Sequence, residues 1–129
     1  MSKPILYSIV ESPVHPRCSD VYRRMGFEEI IHSSQRKAIS QLKKDVPDVV
    51  VCEFFYGYGN NYAGVNISNL DVFLLSLKKY KADTTVIVLA DKTERQYVDA
   101  LNETYPLHSI LVHPVRCDQI ETSLKSLSL

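Results

Sequence analysis

The apolar run Val49-Val50-Val51-Cys52, which ends in the acidic residue Glu53, constrains the fold of this chain more than any other stretch. It has the length of a strand and offers no polar side chain to face water, so it predicts a strand buried on both faces. Such strands lie at the centre of parallel sheets, and ligand sites in open α/β sheets lie beyond the carboxyl ends of the strands. Glu53 is therefore the first candidate functional residue.

The rest of the chain predicts strands that alternate with helices. Besides the central run, mainly apolar runs of strand length predict strands over residues 5–10, 28–32, 84–89 and 109–112. Apolar residues at helical spacing predict five helices, starting near Ser19 or Asp20, near Ser33 or Ser34, before Leu70, at a Thr93/Gln96 capping box, and after Pro114. This alternation predicts an α/β fold: a doubly wound five-stranded parallel sheet of order 2-1-3-4-5, with helices on both faces. The second strand is the most polar and is expected at an edge.

Composition limits the kind of protein this can be. At 129 residues, the chain is expected to form a single domain over residues 1–129. Lys+Arg and Asp+Glu both number 15, so the net charge of zero predicts no nucleic-acid partner. The sequence contains no apolar segment long enough to predict insertion into a membrane. The three cysteines have unrelated spacings and predict neither a disulfide framework nor a zinc site, so a reduced, cytoplasmic protein is expected.

Four stretches stand out once the elements are placed: Lys43-Lys44-Asp45-Val46-Pro47-Asp48-Val49-Val50-Val51, Val86-Ile87-Val88-Leu89-Ala90, Val112-His113-Pro114 and Met25-Gly26-Phe27. They are similar to the receiver domain of bacterial two-component response regulators, and the resemblance extends over nearly the whole chain. These residues correspond mainly to fold-bearing positions. The resemblance therefore implies the architecture of a receiver more than its activity.

At the active-site positions that the resemblance implies, this sequence departs from the family. Glu53 stands where the family has its phosphoacceptor aspartate, and it carries its carboxylate about 1.5 Å farther from the backbone. Val10 and Glu11 stand at the family's magnesium-binding acid pair, and Ala90 stands at the hydroxyl residue after strand four. His113 replaces the lysine after strand five, and Ile110 replaces the aromatic switch residue. Phosphoryl transfer depends on positioning, so these departures predict a degenerate, or pseudo-, receiver.

The expected function is a non-catalytic protein-interaction module in two-component (phosphorelay) signal transduction that acts independently of phosphorylation and needs no cofactor. Its partner would be a signalling kinase, an effector or a second copy of itself. The family's partner face implies residues 93–127 for this contact. The alternative is a receiver that is still phosphorylated, on Glu53 with a divalent metal. A flavodoxin-like enzyme is disfavoured, because Glu11-Ser12-Pro13 is expected to present a carboxylate and a proline, with no backbone donors for a phosphate.

For several side chains, the sequence is compatible with either a functional or a structural role. Glu53 is either a phosphomimic or, as we expect, a solvated carboxylate, with His113 as its ion-pair partner. Glu11 and Glu53, with His113 or His15, could hold a divalent ion, although no bound metal is expected. An aromatic loop, Phe54, Phe55, Tyr56, Tyr58 and Tyr62, could be a recognition surface or could fold back over the crevice. Cys52 is expected to be a buried core thiol.

Overall fold

Five parallel strands and six short helices form the framework in a computed structural model that describes residues 3–55, 70–81, 83–99 and 101–126. The strands are β1 (Ile5–Ile9), β2 (Glu28–His32), β3 (Val49–Glu53), β4 (Thr85–Ala90) and β5 (Ser109–Val112). The helices are α1 (Ser19–Arg24), α2 (Gln35–Gln41), α3 (Asp71–Tyr80), α4 (Arg95–Val98), α5 (Leu101–Thr104) and α6 (Cys117–Lys125).

The sheet has the order β2-β1-β3-β4-β5, and all of its pairings are parallel. Glu53 pairs with Leu89, and Ala90 pairs with Val112, so the carboxyl ends of β3, β4 and β5 form one edge. Strand order and fold class are confirmed as predicted from the alternation of apolar runs and helices.

Strand β3 is buried along its whole length and contributes to two hydrophobic clusters. Val50 and Cys52 belong to a first cluster, which includes apolar residues of α2, α3, α4 and α5. Val49 and Val51 belong to a second cluster, which includes apolar residues of α1 and α6. Since successive side chains of a strand point to opposite faces, this division places helices on both sides of the sheet.

The helix starts differ in detail from the prediction. Ser34 caps α2 and accepts a hydrogen bond from the Lys37 backbone N–H at 3.2 Å, as one of the two predicted capping residues. The predicted Thr93/Gln96 capping box is wrong. The Asp91 carboxylate accepts from the Thr93 N–H at 3.0 Å and begins a short 3₁₀ turn, and the expected single helix is two short helices, α4 and α5.

The prediction that the cysteines form no disulfide is wrong for one pair. Cys18, just before α1, is bonded to Cys117, the first residue of α6, with a Cα–Cα distance of 5.5 Å. The two residues are 99 positions apart, so their spacing carries no signal; they meet because α1 and α6 share one side of the sheet. Cys52 is a free, fully buried thiol, as predicted.

Within the described ranges, no helix has both the length and the apolar character needed to cross a membrane.

Candidate functional site

The candidate site lies at the carboxyl edge of the sheet, where Glu53 ends β3. Its position at the end of a central strand is the predicted one, but its environment is not. Glu53 has no exposed surface, so the expectation of a solvated carboxylate is wrong.

The loop between β1 and α1 surrounds the Glu53 carboxylate with donors. Oε2 accepts hydrogen bonds from the backbone N–H of Glu11 at 2.7 Å and of Ser12 at 3.2 Å. The Ser12 hydroxyl donates to Oε1, and Nδ1 of His15 lies 3.0 Å from Oε2. The expectation that this turn presents no backbone donors is therefore also wrong: two N–H groups converge, and the anion they bind is the chain's own carboxylate.

These contacts keep Glu53 ionised. Burial by itself would raise the pKa of the carboxyl, but hydrogen bonds from His15, Ser12 and the Glu11 N–H, together with the charge of His15, bring that pKa below its ordinary value. Because the carboxylate only accepts, Nδ1 of His15 must carry a proton and donate it. The other ring nitrogen, Nε2, is buried and has no hydrogen-bond partner within the described ranges.

His113 does not form the predicted ion pair with Glu53, because His15 occupies that place. The His113 backbone N–H donates to the Ala90 carbonyl at 3.0 Å, and this bond continues the β4–β5 pairing. Its ring is half-buried, and its Nδ1 has no partner among the residues that the structure describes. The sequence offered His15 and His113 as equals; only the path of the loop shows which one reaches Glu53.

The other positions named from the resemblance surround this carboxylate without forming a phosphorylation site. Val10 is half-buried, and its N–H donates to the His32 carbonyl at 2.9 Å. Ala90 is fully buried and offers only a methyl group, and Ile110 packs against the first hydrophobic cluster.

The acids at this edge do not fit the magnesium ion that the resemblance implies. Val10 supplies no ligand, Glu11 accepts a hydrogen bond from the Gln35 amide at 3.0 Å, and the Glu53 oxygens accept from the β1–α1 loop. Within the described ranges, no group of three or more histidine, cysteine, aspartate or glutamate side chains is arranged to hold a metal. A hard cation would need several oxygen ligands at this edge.

The aromatic residues after β3 divide between core and surface. Phe54 is buried in the first cluster, which excludes it from an exposed recognition surface. Phe55 is half-buried and lines a cavity of about 310 Å³, together with Glu11, Ser12, Ser33 and Ser34. Tyr56, Tyr58 and Tyr62 lie outside the described residues.

Acid should remove stability in two stages, and a buried group contributes to each. Burial lowers the pKa of His32, whose ring contacts Tyr7 edge-on at 4.5 Å, so its contribution is present above the ordinary value of 6.5 and is lost as the pH falls through the depressed folded pKa. Glu53 also has a lowered pKa, so its contribution is complete above the unfolded value near 4.5 and is lost at still lower pH.

Urea unfolding between pH 8 and pH 3 measures both stages, and each group contributes a slope of at most about 1.4 kcal/mol per pH unit. We expect His32→Gln to remove the first stage and Glu53→Gln to reduce the second. Asp48 also contributes to the second stage: burial by itself would raise the pKa of its carboxyl, but hydrogen bonds from Lys81 and the Ile5 N–H lower that pKa. If the free energy of unfolding depended on pH in the same way for the wild type and both variants, this assignment would be contradicted.

Comparisons with known proteins identify the fold. No family model matches the sequence, and no curated protein matches it. Among solved structures, a response regulator from Thermotoga maritima is similar with a TM-score of 0.70 and 16% identity, over 97% of each chain. A chemotaxis response regulator of Vibrio cholerae has a TM-score of 0.69 and 16% identity, over 97% of this chain and 98% of that one.

A signal receiver domain of a LuxO-like repressor from Vibrio parahaemolyticus is also similar, with a TM-score of 0.71 and 14% identity, over 97% of this chain and 89% of that one. At such identities the likeness concerns the fold alone. The chain has the fold of response regulator receiver domains.

Proposed function

We propose that this protein is a non-catalytic pseudo-receiver, a protein-interaction module of bacterial two-component signalling that acts without being phosphorylated. The receiver fold supports the signalling role, since that architecture is shared with the response regulators of Thermotoga maritima and Vibrio cholerae. The proposal places the protein in the cytoplasm and includes neither a cofactor nor a nucleic-acid or membrane partner.

The observation that carries the proposal is the enclosure of Glu53. A carboxylate that accepts a phosphoryl group must present an oxygen to the donor in line with the bond that breaks. Here both oxygens already accept hydrogen bonds from the β1–α1 loop, and the side chain has no exposed surface. A phosphodonor would have to displace Ser12 and His15 before it could reach either oxygen.

The neighbouring positions support the same conclusion. Ala90 offers no hydroxyl to a phosphoryl group, and His113 is shorter than the lysine implied by the resemblance. Without that hydroxyl and that lysine, the transition state would lose part of its electrostatic stabilisation. With Ile110 packed against the core, no aromatic ring is available at that position to report a charge on β3.

The partner face in this proposal comprises β5 with α4, α5 and α6. Strand β5 is half-buried along its length and lies at the edge of the sheet, so on one side its backbone groups pair with no strand of the described ranges. Sedimentation at micromolar concentration separates the candidates: a dimer would identify a second copy as the partner, and a monomer would favour a kinase or an effector.

Treatment with acetyl phosphate and magnesium, followed by intact-mass measurement and backbone amide NMR, tests the absence of phosphorylation. We expect no phosphoryl adduct on the wild-type chain, whereas a phosphorylatable response regulator treated in parallel should gain one. A stable adduct on Glu53 would overturn the proposal and establish the alternative, a receiver that uses Glu53 with a divalent metal.

Glu53→Asp is the matched variant for this experiment. It moves the carboxylate about 1.5 Å back toward the position of the family's aspartate. We expect no adduct on this variant either, because Ala90 and His113 are unchanged. An adduct on Glu53→Asp alone would show that side-chain length is the whole cause of the lost phosphorylation, and that the substitutions at Ala90 and His113 do not contribute to it.

A further inference from the structure

The Cys18–Cys117 bond joins the two loops that bear the site residues. Cys18 ends the β1–α1 loop, whose Ser12 and His15 enclose Glu53. Cys117 is the first residue of α6 and directly follows the β5–α6 loop, which begins with His113. Both cysteines therefore lie on the carboxyl side of the sheet, and the bond is a covalent link between loops that are 99 residues apart in sequence.

We propose that Cys18 and Cys117 form a reversible thiol–disulfide modification site whose reaction partner is a protein or small-molecule dithiol. The state of the pair sets how firmly the β1–α1 loop is held to the start of α6. This inference does not depend on the proposed signalling function, because it concerns the chemistry and mobility of the chain alone.

The two cysteine residues differ in exposure, and we take the more exposed one as the point of attack. Cys18 is 3% exposed, whereas Cys117 is only half-buried. An incoming thiolate therefore attacks Sγ of Cys117, forms a mixed disulfide and releases the Cys18 thiolate, which takes a proton. The second thiol of the reductant then attacks its own sulfur in the mixed disulfide and releases Cys117. The protein disulfide gains two electrons, and the dithiol becomes a disulfide.

Cys117 lies at a helix start, with its Sγ 3.4 Å from the carbonyl oxygen of Arg17. It is the first residue of α6, a helix of nine residues, where the partial positive charge of the helix start stabilises an anion. Arg116 precedes it, although the guanidinium is shared with Asp118, whose Oδ1 accepts from Nε at 3.0 Å. Arg17 precedes Cys18 in the same way. Cys117 is the leaving thiolate of the second step, so its place at the helix start favours that step.

The third cysteine provides an internal contrast. Cys52 is fully buried, and burial, with smaller effects from the Glu11 and Glu53 carboxylates, raises the pKa of its thiol well above the ordinary value. It is therefore expected to stay protonated and unreactive in the folded chain. Thiol chemistry is confined to the Cys18–Cys117 pair.

Breaking the bond should loosen α6 at its start and spare its middle. Ile120 and Leu124 stay buried in the second cluster, and Arg24 remains paired with Glu121 at 2.8 Å. The stretch 116–119 has exposed or half-buried side chains, so the disulfide is its firmest attachment. The loosening should extend to the β1–α1 loop, because Cys18 is its last residue before α1.

Alkylation of the native chain with iodoacetamide, counted by intact mass, tests the chemistry. We expect no adduct on the oxidised protein, two after dithiothreitol treatment without denaturant, and a third only after unfolding. A chain that purifies in air with three free thiols would overturn the proposal. So would a bond that resists dithiothreitol until the protein is unfolded, since that bond would be purely structural.

Hydrogen exchange of the oxidised and reduced wild-type protein tests the mechanical consequence. We expect exchange to rise at least about tenfold in residues 12–18 and 116–119, and much less in 120–125. The exchange rates of Cys18→Ala/Cys117→Ala should equal those of the reduced wild type, and dithiothreitol should not change them. Equal exchange in the two states of the wild type would overturn the coupling, and that comparison needs no variant to fold.

Discussion

Replacing Glu53 by leucine is expected to lower the free energy of unfolding by at least about 3 kcal/mol. Leucine has a similar volume but accepts no hydrogen bond, so the N–H groups of Glu11 and Ser12 and Nδ1 of His15 lose their acceptor. Leaving a buried donor unpaired costs about 1–3 kcal/mol, and the two backbone donors are still present after the substitution. Urea unfolding at pH 7 measures the change.

Glu53→Gln is the graded comparison. Its amide oxygen can take the place of Oε2, and its amide nitrogen can donate to the Ser12 hydroxyl, so most hydrogen bonds survive and only their charge assistance is lost. We expect a loss of about 1–2 kcal/mol. Glu28→Gln, on the exposed part of the edge strand β2, should change stability by less than about 0.5 kcal/mol.

The order of these three variants separates two interpretations of Glu53. If the carboxylate is an enclosed structural anion, Glu53→Leu loses far more stability than Glu53→Gln, and Glu53→Gln loses more than the Glu28→Gln control. If Glu53 were solvated and served as a phosphomimic, all three variants would be close to wild type in stability. Equal, small losses for Glu53→Leu and Glu28→Gln would therefore contradict the enclosure on which the proposed function is based.

The sheet could be predicted from the sequence because its causes are local. Uninterrupted apolar runs around Val50 and Val88 can be buried only as central strands, and the polar residues Glu28 and Glu29 place β2 at an edge. Ser34 caps α2 through a contact only three residues along the chain. Signals that act over a few residues are visible in sequence.

The site could be predicted only in part because its contacts are distant in sequence. The strand pattern brings Glu53 to the carboxyl edge, but its partners Ser12 and His15 lie about forty residues earlier, in a loop where Pro13 and Pro16 disfavour regular structure. No periodicity shows where such a loop returns. A buried carboxylate at the end of β3 does need donors, and the loop after the neighbouring strand β1 was the nearest source.

The disulfide could not be predicted for the same reason, and its expected effect on stability is large. In the chain-entropy account, a bond that closes a loop of about 100 residues contributes about 3–5 kcal/mol, because it restricts the unfolded chain. Cys18 and Cys117 close a loop of nearly that length, with a separation of 99 residues. We expect Cys18→Ala/Cys117→Ala to lower the free energy of unfolding by this amount relative to the oxidised wild type.

Besides the bond, α1 and α6 are held together by apolar packing in the second cluster and by the Arg24–Glu121 ion pair, and neither of these restricts the unfolded chain as a covalent bond does. Arg24 is 62% exposed, and an ion pair as open to water as Arg24–Glu121 contributes at most about 1 kcal/mol. Urea unfolding with and without dithiothreitol provides the control: the reductant should destabilise the wild type and leave the double alanine variant unchanged. A difference below about 1 kcal/mol between oxidised and reduced wild type would contradict the entropic account. The free energy of unfolding of a domain of this size is only about 5–15 kcal/mol, so the thiol state of two residues would determine a large part of it.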